Sequence, residues 1–209
     1  MEIKAILENI VSDNQLHAKW LNTLSYMENA GAKKISASEH KEQVNLIILK
    51  HAAEEHRHAY YLKKQLDKLD GDLCKTYTNE ELLAPNYTKF YLNALDVAVC
   101  RYLKQHFNLT GYELKFGAYL FVTYAIEVRA DELYPIYQEV LTQAGSKVNV
   151  KSIILEEEGH LEEMLNQLKT FSPDWEQHAE LVIKIEQDMF SDWMQGLALQ
   201  TGVAVPAVN

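Results

Sequence analysis

Two Glu-x-x-His motifs, Glu55-His-Arg-His58 and Glu157-Glu-Gly-His160, stand 102 residues apart in this 209-residue chain. Each lies inside an apolar pattern of helical period. The first seam reads Val44, Ile47/Ile48, His51/Ala52, Glu55, His58/Ala59, Leu62, Leu66, Leu69. The second reads Val150, Ile153/Ile154, Glu157, His160/Leu161, Met164/Leu165, Leu168. Steps of three and four put these residues on one face of an α-helix. A carboxylate and an imidazole therefore occupy core-facing positions twice, and a bare charge there is costly unless it is paired or bound to metal.

Two further glutamates break the same rule. A helix over 14–35 has the seam Leu21, Leu24, Glu28, Ala32, Ile35. Glu127 directly follows Phe116–Ile126, a stretch apolar nearly all round except at Thr123. Glu28 precedes Glu55 by 27 residues, and Glu127 precedes Glu157 by 30. In an antiparallel helical hairpin, rising ~1.5 Å per residue on both arms, such spacings bring the paired positions to one level. Each half of the chain is then a helix with a lone Glu, a turn, and a helix with Glu-x-x-His.

The rest of the chain supplies connections. Residues 2–12 form a short amphipathic helix on Ile3, Ile6, Leu7 and Ile10. Ser36-Ala-Ser-Glu39 has the capping-box pattern and opens the second long helix, which Gly71 closes. Residues 71–86 read as a loop with a turn of helix after Thr78, ending near Pro85. The segment 88–107 is amphipathic on Leu92, Leu95, Val99, Tyr102 and Leu103. Thr110-Gly-Tyr-Glu113 is a second capping box, opening a helix over 111–143 that Pro135 should kink. After Gly145-Ser146 comes a helix over 149–170. Ser172-Pro173 then opens a last helix to about 198, with Leu181, Ile185, Met189 and Trp193 on its apolar face. No strand-like alternation competes. The expectation is an all-α chain, one domain over 1–200 with a tail over 201–209.

The formal net charge of −10 argues against nucleic acid or an anionic membrane as partner. No apolar run reaches membrane-spanning length, and the N-terminus lacks the basic start of a signal peptide. Cys74 and Cys100 do not form a C-x-x-C, which excludes a rubredoxin-type or zinc-ribbon module. A reduced, cytoplasmic compartment is the simple reading.

One Glu-x-x-His alone reads as a surface ion pair. Here the signals compound. Of eight histidines only His58 and His160 have Glu three residues earlier, and both lie mid-seam. Burying four unpaired carboxylates would cost several kcal/mol each, and two divalent ions resolve that cost. Mixed oxygen and nitrogen ligation suits iron or manganese.

This arrangement resembles the ferritin-like di-iron carboxylate superfamily, over roughly residues 14–170, on Glu28, Glu55/His58, Glu127 and Glu157/His160. The resemblance implies a four-helix bundle with a long B–C crossover helix and an additional C-terminal helix. It also implies two iron ions, or manganese, with Glu28 and His58 on one, Glu127 and His160 on the other, and Glu55 and Glu157 bridging. The chain departs from rubrerythrin, whose cysteine-rich electron-transfer module is missing, and from ferritin, whose storage site lacks the second Glu-x-x-His. The expected function is an oxidase or oxygenase that activates O2 on a small apolar substrate. An external electron donor is then needed, since no flavin or Fe–S motif is present. Two alternatives stand beside it. One is a metal-handling or peroxide-scavenging protein, which needs no ligand-sized cavity beside the ions. The other is a non-enzymatic helical scaffold with its last helix as a docking surface. Bundles of this size also form homodimers through an outer helix.

Neighbouring residues carry secondary expectations. His51, four before Glu55, and Asp131, four after Glu127, are candidates to hold or orient a ligand. Tyr124 and Tyr134 flank Glu127 as candidates for the reaction site. Glu54, Glu156 and Glu158 are expected in solvent, with Arg57 and Arg129 offsetting the acidity. Phe116, Tyr119, Leu120 and Thr123 are candidates for a pocket wall, and Cys100 for a small core residue.

Overall fold

A computed structural model describes residues 3–69, 71 and 73–203. Among them are seven α-helices and no strand. They are α1 (Ile3–Ser12), α2 (Asn14–Ala37), α3 (Leu46–Gln65), α4 (Pro85–Phe107), α5 (Gly111–Gln143), α6 (Lys151–Phe171) and α7 (Trp175–Thr201). None of the helices is long and apolar enough to cross a membrane. The expected tail over 201–209 is shortened by α7, which runs to Thr201, and from 204 onward it lies outside the described residues.

The helix-forming seams hold well, and the boundaries less so. Ser36 does not open a helix: it sits in the last turn of α2, because Ile35 is buried and pulls that turn onto the core. Ser38 closes α2, its Oγ donating to the Ile35 carbonyl at 2.6 Å. The second long helix begins nine residues later than the capping box suggested. Its cap is Asn45, whose Oδ1 accepts from the amides of Ile47 and Ile48 at 3.0 and 3.3 Å. Val44, expected in the seam, is therefore in the preceding loop and exposed. The helix ends at Gln65, with one 3-10 turn over Leu66–Lys68, before Gly71 is reached. A further 3-10 turn over Asn79–Glu81 follows Thr78, as the spacing predicts.

Pro135 falls inside α5, which continues as one helix to Gln143. Pro135 and Asp131 are both exposed. The carbonyl left without an i+4 amide donor is thus on the solvent side, where water can satisfy it. The last helix also departs from expectation. Its inner face is Val182, Glu186, Phe190, Trp193 and Leu197, while Leu181 is 47% exposed. Trp193 is buried as expected and Ile185 and Met189 are half-buried against the core, so the buried stripe lies to one side of the expected one and overlaps it.

Two antiparallel hairpins frame the molecule. In α2/α3, Ser25 Oγ donates to the Ala59 carbonyl at 2.7 Å, and Lys63 reaches Asn22. In α5/α6, the turn is tied by Gln138 Oε1, which accepts from the Val150 amide at 2.8 Å. Helix α4 packs on α5 and α7. At one end of the molecule Trp193 lies between Tyr91 and Trp20, with ring centroids 5.5 and 5.7 Å away, joining α7 to α4 and α2.

The apolar interior falls into two clusters. One contains Leu24, Leu62, Leu133 and Ile153; the other contains Ile35, Ala52, Ala125 and Met164. On each of α2, α3, α5 and α6, the glutamate or the Glu-x-x-His lies in sequence between a member of the first cluster and a member of the second. The helices thus carry one polar layer between two apolar ones.

Candidate metal centre

That polar layer gathers all six predicted residues. Glu55, His58, Glu127, Glu157 and His160 are buried, and Glu28 is half-buried. Glu55, Glu127, Glu157 and His160 each offer a donor atom within 4.8 Å of the others, and Glu28, Glu55 and His58 form a second such group. Glu55 belongs to both. The two oxygens of Glu157 face different histidines: Oε1 lies 3.1 Å from His58 Nδ1, and Oε2 lies 3.2 Å from His160 Nδ1. Glu55 Oε1 is nearly equidistant from the same two nitrogens, at 3.9 and 3.7 Å. Glu127 Oε1 is 3.6 Å from His160 Nδ1.

The electrostatics follow from burial. Desolvation raises the Glu55 carboxyl well above its ordinary range, helped by the charge of Glu28. Glu127 is raised by desolvation and by Glu157. For Glu157 burial pulls upward too, but the close approach of Glu127, His160 and His58 outweighs it and holds it below the ordinary range. Burial opposes protonation of both imidazoles and is overcome by their carboxylate neighbours. His58 is pushed up to about 8, chiefly by Glu157, and His160 to about 11, by Glu127 and Glu157. Protons thus hold together a cluster whose carboxylates outnumber its cations. A divalent ion that displaced them would do the same with better-matched charge.

The donor set fits such an ion. His58 Nδ1 is buried with no hydrogen-bond partner among the described residues: it lies close to Glu157 without the alignment of a hydrogen bond. An orphaned imidazole nitrogen among carboxylate oxygens is costly in a closed interior, and ligation would satisfy it. The outer nitrogens are already placed. His58 Nε2 meets Glu156 Oε2 at 2.9 Å, and His160 Nε2 meets Glu54 Oε2 at 2.8 Å. A carboxylate behind an imidazole fixes its tautomer and leaves Nδ1 free to bind metal.

Those two partners correct the sequence reading, which sent Glu54 and Glu156 into solvent. Each follows the helical face only partly, but across the α3/α6 contact each reaches the histidine of the opposite helix. Arg57 bonds Glu156 as expected of it. Asp131 is the reverse case: it is exposed and has no part in the cluster. Glu127 points inward, and a residue four further on shares its face only while the helix stays covered, which it does not at 131.

His51 is buried, and its ring centroid is 4.8 Å from that of His160. Both its nitrogens are used elsewhere, Nδ1 by the Tyr119 hydroxyl and Nε2 by Glu163, each at 2.9 Å. It supports the His160 ring by packing. Tyr134 reaches the cluster, donating to Glu28 Oε1. Tyr124 does not: its ring packs edge-on against Trp175. Arg129 pairs with Glu186, a buried acid that the sequence reading missed. Cys74 and Cys100 are free thiols, Cys74 buried and Cys100 half-buried.

A cavity of about 330 Å³ opens onto the cluster. Glu28, Glu55, Glu127 and Glu157 all line it. Its walls are largely apolar, from Leu24 and Met27 on α2, Leu92 and Leu95 on α4, and Val122 and Ile126 on α5. Of the four expected wall residues, Tyr119 and Thr123 line this cavity. Leu120 is fully buried in the core behind it, and Phe116 faces a separate surface pocket beside Phe171.

The arrangement has the chemistry of a buried carboxylate and imidazole site that could hold a metal ion, with an apolar chamber beside it. Comparison with known proteins found no matching family model, no matching curated protein and no matching solved structure.

Proposed function

We propose that this chain is a ferritin-like di-iron carboxylate oxidase or oxygenase acting on a small apolar substrate. In this reading α2, α3, α5 and α6 are the four-helix bundle, α4 is its crossover and α7 the additional helix. Glu28 and His58 would hold one ion and Glu127 and His160 the other. Glu55 and Glu157 would be shared, consistent with the place of Glu55 in both donor groups and of Glu157 between the two histidines. Two iron ions bound there, or manganese, would supply O2 activation, with electrons from an external donor.

The observation that carries this reading is the apolar cavity lined by four of the cluster's carboxylates. A metal-handling or peroxide-scavenging protein has no need of such a chamber. Its volume lies at the small end of the roughly 300–1,000 Å³ range of ligand pockets. Leu24, Met27, Leu95, Val122 and Ile126 would exclude water and leave an apolar substrate next to the ligands. Tyr134 holds Glu28 by donating to Oε1. Its hydroxyl keeps that proton, because burial and the charge of Glu28 raise its pKa well above the usual phenol range.

The test begins with metal content by elemental analysis of protein purified without chelator, for wild type and for the double variant Glu55→Ala/Glu157→Ala. About two Fe or Mn per wild-type chain, lost in the variant, is expected. The anaerobically reduced, iron-loaded protein should then be oxidised by O2 faster than free iron. Absence of metal from wild type even after anaerobic Fe(II) loading would refute any metal-based reading and leave a helical scaffold. Rapid reaction with peroxide but not with O2 would favour the scavenger.

A further inference from the structure

The cavity is not uniformly apolar along its length. On α2 its lining runs from Leu24 past Glu28 and Gly31 to Lys34 and Ser38; on α5 it runs from Lys115 past Tyr119 and Thr123 to Glu127 and Tyr134. The lysines are therefore separated along the axis from the glutamates of the cluster; the lining also includes Arg129 beside Glu127, held by Glu186 and Glu132, and Asp96, held by Lys34. Lys34 is six residues beyond Glu28, and Lys115 is twelve before Glu127. At ~1.5 Å per residue these are axial offsets of roughly 9 and 18 Å. The cation end is also the solvent end. Lys115 is exposed and Lys34 about one-third exposed, whereas Glu55, Glu127 and Glu157 are buried.

The two lysines differ in state. Lys34 is held by Asp96 and the Leu92 carbonyl of α4. Lys115 has no hydrogen-bond or ion-pair partner among the described residues. The mouth thus carries Lys34, Asp96 and Lys115, one net positive charge, on a protein whose formal net charge is −10. An amine entering here would meet Lys115 head-on and find Asp96 already paired. A neutral hydrocarbon would leave the ammonium unused. A carboxylate would satisfy it, with its chain lying against Leu95, Val122 and Ile126.

Resting on the reading above, we propose that the substrate is an elongated amphipathic acid, its carboxylate at Lys115 and Lys34 and its apolar chain reaching in towards the glutamate cluster. This fixes the orientation: the anionic end stays at the mouth, and the reacting carbon lies several methylenes away. Ligands with both ends polar are disfavoured.

Binding can be measured separately from turnover. Octanoate and 1-octanol would be titrated calorimetrically into the metal-free full chain and into Lys115→Glu. Leaving the metal out keeps binding apart from turnover and from ligation of the acid by an ion, and the Lys115→Glu comparison locates any preference for the acid at the mouth. Wild type should bind octanoate at least about tenfold more tightly than octanol, the preference weakening with salt. Lys115→Glu should erase the preference and leave octanol binding unchanged. Equal affinities in wild type, or a preference that survives Lys115→Glu, would overturn the proposed acid while leaving the oxygenase reading intact. Failure of both ligands to bind would overturn the proposed acid and the apolar-substrate part of that reading together, leaving metal content as the separate test of the centre.

Discussion

Glu157 stands between His58 and His160, one carboxylate oxygen directed at each Nδ1, at 3.1 and 3.2 Å. Glu55 sits nearly equidistant from the same nitrogens but in a different electrostatic state: burial and Glu28 raise its pKa, while Glu157 is held ionised by its partners. Glu157→Gln and Glu55→Gln should therefore behave alike with metal and differently without it. Both should lose bound metal. In chelator-stripped protein at neutral pH, Glu55→Gln should be more stable than wild type, by about 1–3 kcal/mol, because Gln matches the neutral form that burial imposes on Glu55 without the cost of protonating it on folding. The sign follows from linkage: an acid with a raised folded pKa loses stability as pH rises above its unfolded value, and Gln does not titrate. Glu157→Gln should be less stable than wild type, since it strips both imidazolium groups of a partner. Urea denaturation of the stripped proteins decides this.

The carboxylates behind the histidines should matter nearly as much as the proposed ligands. Glu54→Ala and Glu156→Ala each leave one Nε2 unsupported. Each is expected to weaken metal affinity by roughly 10–100-fold without abolishing binding. Competition with a chromophoric chelator measures it. An unchanged affinity would mean that the pairs are only surface contacts between α3 and α6.

Gly31 lines the cavity, and a Cβ built on it meets nothing within 4 Å. Gly31→Leu should fill the chamber from α2 without a clash. Stability should hold or rise, by up to about 1 kcal/mol, because glycine is a poor helix former. Metal content should be unchanged, and octanoate and octanol binding lost. Retained ligand binding would place the ligand elsewhere.

Glu186 is 1% exposed and is gripped by Arg129 through Nε and Nη2 at 2.9 and 2.7 Å, with the Tyr91 hydroxyl donating at 2.6 Å. Arg129→Met leaves that carboxylate buried and unpaired and should cost about 3–5 kcal/mol. The double variant Arg129→Met/Glu186→Leu should recover most of the loss, short of about 1 kcal/mol for the stranded Tyr91 hydroxyl. A double variant no more stable than the single one would show that the aromatic packing around Phe190, rather than charge pairing, carries the effect.

His17, buried against Tyr137 with a 2.7 Å hydrogen bond, has its pKa lowered by burial to about 4. The unfolded chain takes up this proton first, near 6.5, so folding stability falls as pH drops from 6.5 towards 4. His17→Gln keeps a partner for Tyr137 and does not titrate. Its stability should decline less steeply over that interval, as thermal melts at stepped pH would record.

The sequence by itself determined that the chain is helical and which six residues form the polar layer. Periodicity did this: an acid or imidazole at a core-facing step is conspicuous against Leu and Ile, and two hairpin spacings of near-equal length can only meet at one level. It could not determine what lies across a helix–helix contact. Glu54 and Glu156 look like solvent residues on their own helices, and only the packing of α3 against α6 puts each behind the other's histidine. Glu186 escaped for the same reason. The apolar residues of α7 suggested a face with Leu181 on it. In the fold Glu186 lies inside, paired with Arg129, and Leu181 lies outside. Asp131 and Tyr124 were drawn in by their spacing from Glu127, yet the covering of α5 changes along its length, and a one-dimensional step count contains no information about that. The cavity, too, belongs to the tertiary structure alone: it is the volume that α2, α4 and α5 leave unfilled, and no single helix encodes it.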